Sequence, residues 1–231
     1  LFDNFLGSTS AGIGNLIAEG NKEKILKVYW EMMSFRFFIF GVGTFSLYYI
    51  LPTFIKLWLG QEFLLSDNVL KLILVIFSLN ILRGTTDQFI NGYGLFYDVW
   101  APAAEAIIFI VVALIGGTLW RLEGLLLANI ISLLIIVYGW KPYFLFKKGF
   151  KISLCIYWSG ILKLFLLSGV SFFLFKLFNT LFIWNKVSNN WFEFIVFALY
   201  VGITFVFIQF ILLYVGTNGM RNLIHRLICK S

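Results

Sequence analysis

Four polar side chains interrupt an apolar stretch of the chain at helical spacing. Asn80, Arg83, Asp87 and Asn91 are separated by three, four and four residues, which places all four on one face of a helix. Arg83 and Asp87 can also form an ion pair across one turn. Because a charge at membrane depth costs about 3 kcal/mol, such residues usually face a bundle interior or an aqueous cavity. The stripe therefore predicts the polar lining of a cavity.

The sequence leaves two interpretations of this stripe open. In the first, Arg83 meets an anionic group of a substrate, such as the diphosphate of a lipid-linked sugar, because a guanidinium group suits phosphate oxygens. In the second, Arg83 and Asp87 form a structural ion pair near the end of a helix. Gly92 and Gly94 follow closely and indicate that this end is near.

Glu105 is a carboxylate near the start of another apolar run. It follows Pro102 by one turn, where an acidic group suits the first turn of a helix and its dipole. That structural role is favoured over proton coupling, although Asp87 and Glu105 are the candidates for coupling to an ion. The sequence shows no metal-ligand spacing, nucleophile motif or phosphate-binding loop, so we expect no catalytic residues, no metal and no cofactor.

The composition around these residues is that of a membrane protein. Of the 231 residues, 61% are hydrophobic, 20% are aromatic and only 13% are charged. A soluble domain has roughly 25% charged residues, whereas a helix bundle in lipid is apolar on its core and on its outer face. The net charge of +7 comes from basic residues between the apolar runs. Without a contiguous basic stripe, it argues against a nucleic-acid partner.

Six apolar runs have about the twenty residues needed to cross a bilayer. They predict an all-α, polytopic transmembrane helix bundle, with Leu1 to Ala18 as the end of a seventh span that begins inside a longer protein. Only Trp120 to Glu123 separates the third and fourth runs, which predicts a tight antiparallel hairpin. The six runs are Phe35 to Ile55, Val69 to Ile90, Pro102 to Leu119, Gly124 to Trp140, Tyr157 to Phe178 and Phe192 to Val215.

Amphipathic side chains mark the ends of these runs. Lys163 and Lys176 lie near opposite ends of the fifth run, where long side chains can snorkel to the two membrane interfaces. Five tryptophans at run ends form the expected aromatic belt: Trp58, Trp100, Trp120, Trp140 and Trp191.

Lysine and arginine are distributed unequally between the two sets of connecting segments. Eleven fall on one side and three, Lys56, Arg121 and Lys186, on the other. Because short basic loops stay in the cytoplasm, we expect a multi-pass protein whose C-terminus and Ala18 to Ser34 segment are cytoplasmic. The eleven are Lys22, Lys24, Lys27, Arg36, Lys141, Lys147, Lys148, Lys151, Arg221, Arg226 and Lys230.

Several short motifs carry a family resemblance over about residues 10 to 140. The segment Gly14 to Lys24, GNLIAEGNKEK, resembles the helix end and following loop of Wzx-type polysaccharide flippases of the multidrug/oligosaccharidyl-lipid/polysaccharide exporter superfamily. Pro52 to Gly60, PTFIKLWLG, is similar to that family's P-x-F-I-x-L-W-L-G helix exit. The same order continues with the loop Asn91 to Gly94, the helix start Ala104 to Ala106 and the turn Leu122 to Gly124.

The resemblance implies a transporter of the bacterial inner membrane. Members of the family have two pseudo-symmetric lobes around a central cavity and move undecaprenyl-diphosphate-linked oligosaccharides by alternating access. Residues 1–140 would then be helices of the second lobe, without the first lobe, and residues 141–231 would add two C-terminal helices with a basic cytoplasmic loop and tail. The implied partners are membrane lipids, the lipid-linked oligosaccharide and the first lobe.

Two other functions stay open. A drug or cation antiporter of the same superfamily would need membrane-embedded carboxylates, for which Asp87 and Glu105 are available. A membrane-bound polysaccharide polymerase or acyltransferase would need a long extramembrane loop carrying arginine, histidine or carboxylates, and the connecting segments here are short and poor in such groups. The sequence therefore favours transport over enzymatic chemistry.

Overall fold

In a computed structural model, the chain is built of helices. The structure describes residues 12–181 and 190–228, so Lys186 and Lys230 of the charge count lie outside the described residues, as does most of the expected seventh span. Within those two ranges no strand occurs, which confirms the all-α fold there. Five helical runs in them are long and apolar enough to cross a membrane: Lys22–Trp58, Asp67–Gly92, Phe96–Phe150, Leu154–Asn179 and Trp191–Gly216.

We number the α-helices in chain order. Short 3-10 turns, Gln61–Phe63 and Phe96–Asp98, precede α3 and α4. Two π-helical stretches, Leu133–Trp140 and Leu145–Phe150, flank α5 and make one continuous helical run with it. Helix α1 covers residues 12–18, α2 Lys22–Trp58, α3 Asp67–Gly92, α4 Trp100–Ser132, α5 Lys141–Phe144, α6 Leu154–Leu181, α7 Trp191–Gly216 and α8 Asn218–Ile228.

Helix α2 begins at Lys22, well before the start predicted from its apolar run. The side chain of Asn21 caps it by accepting a hydrogen bond from the Lys24 backbone N–H at 3.1 Å. Much of the expected Ala18 to Ser34 connection is therefore helical. Arg36, which the charge count grouped with the lysines of the connection before the first run, is only 4% exposed, and its Nη1 donates to the Ile81 carbonyl at 2.8 Å. That assignment of Arg36 was wrong.

The chain turns back between the third and fourth apolar runs, at Trp120 and Arg121. Both residues leave the helical conformation, with φ −124° and ψ 15° at Trp120 and φ 49° and ψ −123° at Arg121. On either side of this turn the backbones of Gly116 and Gly124 touch, and a Cβ at Gly116 would lie 3.0 Å from the Gly124 carbonyl oxygen. The structure thus contains the predicted hairpin, whose two arms approach closely because both residues lack a side chain.

Trp58, Trp100 and Trp191 lie at helix ends and Trp120 at the hairpin turn, as predicted, whereas Trp140 lies within the continuous helical run that ends at Phe150. Trp58 is the last residue of α2 and Trp191 is the first residue of α7. Trp100 begins α4, and its ring centroid lies 4.9 Å from that of Trp140, so the two indoles meet at the open end of the hairpin.

Helix α2 is the central element of the bundle. It packs against α3, α6, α7 and α8, whereas the α4 hairpin packs mainly on α3 and leaves most of its apolar surface exposed. The core of the α2 contact is aromatic: the Tyr29 ring lies edge-on to those of Phe89, Phe146 and Phe150, with centroids 5.3 to 5.6 Å away.

A buried amide ties α7 to its neighbours. Gln209 is fully buried, and its Nε2 donates to the Phe37 carbonyl at 3.1 Å and to Ser168 Oγ at 2.9 Å. Its amide lies directly over Gly41, where any Cβ would collide with it. A polar side chain bridging three helices over a glycine is the kind of contact that holds helices together in lipid.

Candidate functional site

The four residues of the polar stripe lie within α3, as their spacing predicted. Asn80 and Asn91 are exposed at the two ends of the stripe. The side chains of Arg83 and Asp87 are 28% and 26% exposed, and Arg83 Nε lies 3.1 Å from Asp87 Oδ2. The predicted ion pair across one turn is therefore present, and it is partly shielded from solvent.

Asp87 also holds a second cation. Lys141 Nζ lies 2.6 Å from Asp87 Oδ1, and the Lys141 side chain is only 13% exposed. On the sequence, Lys141 opened a basic cytoplasmic loop. In the structure the helical run continues through it to Phe150, so Lys141 faces α3 instead, and its assignment to a loop was wrong.

Glu105 joins the same cluster from the second turn of α4. Its Oε1 lies 3.9 Å from Arg83 Nη1, and its side chain is 23% exposed. This separation is an ion pair at long range and too long for a hydrogen bond. Glu105 therefore has a partner on α3 in addition to its favourable position near the start of α4.

These four side chains form a line of alternating charge that we call the α3–α5 charge cluster: Lys141, Asp87, Arg83 and Glu105. Their formal charges cancel, which allows them to be partly buried together. Arg83 and Lys141 share one carboxylate, that of Asp87. The arrangement places two cations and two carboxylates within ion-pair distance of one another.

A cavity of about 360 Å³ lies beside the cluster. Asp87, Asn91 and Lys141 line it, whereas Asn80 lies apart and its Nδ2 donates to the Ile76 carbonyl of its own helix at 2.9 Å. The structure thus divides the predicted stripe, with one end at the cavity and the other on the helix surface. The lining residues are Asp87, Ile90, Asn91, Phe96, Asp98, Val99, Pro102 and Lys141.

Sequence reasoning missed Lys141 and Asp98 as members of this site. Lys141 is 54 residues from Asp87, and no local pattern connects the two. The available signal was only that Lys141 directly follows one apolar run and shortly precedes another apolar segment, Tyr143 to Phe146. Asp98 sits in the 3-10 turn before α4, which the sequence presented only as a short connection.

Metal binding and known relatives give no further assignment. Within residues 12–181 and 190–228, no three His, Cys, Asp or Glu side chains are grouped so as to hold a metal ion. Comparison of the chain with protein-family models, with curated proteins and with solved structures found no match.

Proposed function

We propose that this chain is part of a transporter that moves lipid-linked oligosaccharides across the bacterial inner membrane by alternating access. The observation that carries the proposal is the sharing of one carboxylate, Asp87, by two partly buried cations, Arg83 and Lys141, beside a cavity that Asp87 and Lys141 line. A polar site of this kind lets a charged headgroup cross while the lipid tail stays in the bilayer.

The two cations suit a diphosphate because each can exchange its carboxylate partner for a phosphate oxygen. A guanidinium and an ammonium group both bind phosphate, the first as a planar fork and the second as a point charge. While no substrate is bound, Asp87 keeps Arg83 and Lys141 from being partly buried with fewer partners, which would cost about 1 to 3 kcal/mol. Asp87 thus acts as a stand-in for the substrate anion.

The apolar surface near the cluster suits the rest of such a substrate. Along the α4 hairpin, Ile107, Leu114 and Leu119 are each more than 60% exposed. A polyprenyl tail can lie along such a surface while the headgroup reaches the cavity. The cavity of about 360 Å³ holds a diphosphate but no oligosaccharide, so we propose that a first lobe completes it, as the resemblance over residues 10 to 140 implies.

We place the described apolar helices as six spans by counting the two arms of the hairpin separately, with the C-terminus in the cytoplasm. Arg36 and Lys141 are interior residues and no longer bear on this placement. The remaining lysines and arginines of the larger set still outnumber Lys56, Arg121 and Lys186, so the bias keeps its direction.

An antiporter of the same superfamily is the second candidate, and Glu105 is the observation that favours it. A coupling carboxylate must bind and release a cation in turn. Asp87 is held by two cations at contact distance, whereas Glu105 has one partner at 3.9 Å and is the freer of the two. Ion-coupled export of a drug or cation would therefore depend on Glu105.

The proposal is tested in a strain that lacks the complete gene encoding this chain, complemented with the wild type, Arg83→Ala, Lys141→Gln or the control Lys148→Gln. Lys148 is an exposed lysine of the same helical run. Lipid-linked oligosaccharide is measured on each face of the inner membrane. We expect it to accumulate on the cytoplasmic face in the deletion strain and in both cluster variants at normal protein levels, and to be exported in the control.

Each other outcome has a definite meaning. A deletion strain with no accumulation on the cytoplasmic face would remove oligosaccharide transport as the function. Normal export by both cluster variants would show that the charge cluster has a structural role and takes no part in transport. Loss of drug or cation efflux in a Glu105→Gln variant, with oligosaccharide export intact, would establish the antiporter instead.

A further inference from the structure

A second cavity, of about 270 Å³, lies between α2, α6 and α8 and shares no lining residue with the cavity beside the charge cluster. We call it the α8 cavity. It lies at the level where α7 ends at Gly216 and α8 begins at Asn218. A helix end of this kind marks the membrane interface. Its lining residues are Lys27, Trp30, Ser34, Gly160, Lys163, Leu164, Thr217, Asn218, Gly219 and Asn222.

The α8 cavity has closely packed walls. The Trp30 indole of α2 packs against Gly160 of α6 so tightly that any Cβ at Gly160 would collide with it. Gly219 of α8 likewise packs against Ser34 and the Trp30 backbone. The hollow between these contacts is therefore a defined feature of the packing of three helices.

The side chains that line the cavity carry a net positive charge. Lys27 and Lys163 both line it, both are exposed, and the described lining contains no carboxylate. The nearest acids along α2 are Glu23 and Glu31, each one turn from Lys27, and Glu31 Oε2 also lies 2.5 Å from Arg226 Nη2 of α8. Asn218 and Asn222 add amide donors to the same space.

We propose that the α8 cavity binds the phosphate headgroup of an anionic membrane lipid. Two lysines and two amide groups around a space of about 270 Å³ suit a phosphate with its adjoining glycerol, and basic pockets between helices near the cytoplasmic surface are typical sites for anionic lipids. The sequence predicted only that Lys163 reaches the interface. The structure places a second lysine, from another helix, beside it.

The surface below the cavity identifies a lipid as the source of the phosphate. Leu166 and Val170 follow Lys163 on the same face of α6, one and two turns deeper in the apolar run, and are 62% and 45% exposed. An acyl chain attached to a headgroup at Lys163 would lie along them. Free phosphate would gain nothing from these apolar contacts.

The site is separate from the charge cluster, so its test does not depend on transport. The full-length protein is purified in neutral detergent, and binding of dioleoyl phosphatidylglycerol is measured by native mass spectrometry. The pocket variant is Lys27→Gln/Lys163→Gln, and the control is Lys147→Gln/Lys148→Gln, which removes the same charge from exposed lysines elsewhere. Phosphatidylcholine and inorganic phosphate are the comparison ligands.

We expect wild type and control to bind one phosphatidylglycerol tightly and phosphatidylcholine more weakly, and the pocket variant to bind phosphatidylglycerol about tenfold more weakly or worse. Should the double variant fail to purify, Lys163→Gln alone is expected to show a smaller loss of the same sign. Equal binding by pocket and control variants, or equal binding of the two lipids, overturns the proposal. Displacement of the lipid by millimolar inorganic phosphate would show a site for free phosphate instead.

Discussion

The ammonium group of Lys141 lies 2.6 Å from Asp87 Oδ1. This contact joins the continuation of the second hairpin arm to the last third of α3. The other carboxylate oxygen of Asp87 contacts Arg83 Nε at 3.1 Å. Both oxygens are thus occupied, and the three side chains are between 13% and 28% exposed. Loss of the carboxylate would leave two cations with fewer partners in a partly shielded place.

We therefore predict that Asp87→Asn lowers the free energy of unfolding by about 1 to 3 kcal/mol, measured by denaturant titration in detergent micelles. The matched control is Asp67→Asn, whose partner Lys71 is also four residues away on α3. That pair is more than half exposed, so its loss should change stability little. Equal losses in the two variants would show that burial of the cluster contributes nothing.

A second variant separates charge from packing at the same place. In the Asp87→Asn background, Lys141→Met removes the unpaired ammonium and should recover part of the lost stability. The two substitutions should then be non-additive, because the residues share one contact. Purely additive effects would contradict a direct coupling between Asp87 and Lys141.

The close contact between Gly41 and Gln209 predicts a steric effect within the bundle. Gly41→Ala should destabilise the protein by about 1 to 3 kcal/mol, since the new methyl group meets the Gln209 amide. Gly202→Ala on α7 is the control, because a Cβ there has nothing within 4 Å and alanine favours a helix. Thermal unfolding followed by circular dichroism measures both.

Shortening the opposing side chain should relieve that clash. Gln209→Ala by itself loses two hydrogen bonds, each worth about 0.6 kcal/mol in a membrane bundle. Combined with Gly41→Ala it should cost less than the sum of the two single variants. If the double variant loses as much stability as the two single variants together, Gly41 and the Gln209 amide are not in contact.

The turn at Trp120 and Arg121 predicts that the two ends of the hairpin face opposite sides of the membrane. In a background without Cys155 and Cys229, single cysteines replace Tyr97, Leu122 or Lys147, and an impermeant maleimide is added to intact cells. We expect labelling at position 122, with positions 97 and 147 labelled only after the cells are opened. Labelling of positions 97 and 122 from the same side would contradict the hairpin as a pair of spans.

The contact between Glu31 and Arg226 predicts that α8 is held on the bundle through one buried carboxylate. Glu31 is 1% exposed and lies 2.5 Å from Arg226 Nη2. Arg226→Gln leaves that carboxylate with a weaker partner, so amide hydrogen exchange in α8 should become faster by about tenfold, equivalent to about 1.4 kcal/mol of opening free energy.

Arg221→Gln is the control for this prediction. Arg221 lies on the same short helix, and its Nε donates to the carbonyl of Thr217, the residue just before that helix, at 3.4 Å. The substitution removes the same charge and should leave exchange in α8 nearly unchanged. Similar acceleration in both variants would show that α8 responds to its net charge and not to the contact with Glu31.

Local patterns were enough to predict much of the fold. The apolar runs, the turn at residues 120–123 and the tryptophans at run ends depend on sequence neighbours. The structure shows helices at the runs, a chain reversal at the turn, and helix ends at Trp58, Trp100 and Trp191. The i, i+4 pair of Arg83 and Asp87 is likewise local. Hydropathy did not predict the start of α2 or the continuation of the helix at Lys141. In both places the helix includes polar residues, such as Arg36 and Lys141, whose partners lie on α3.

Residue type and spacing along the chain therefore determined that this protein is an all-helical bundle, that a hairpin interrupts its middle, and that polar residues share a face of α3. Only the tertiary structure decided which distant groups meet: Lys141 with Asp87, Arg226 with Glu31, and Lys27 with Lys163 around one cavity. Helical periodicity is set by backbone hydrogen bonds between near neighbours, whereas these meetings depend on how whole helices pack, which no single segment encodes.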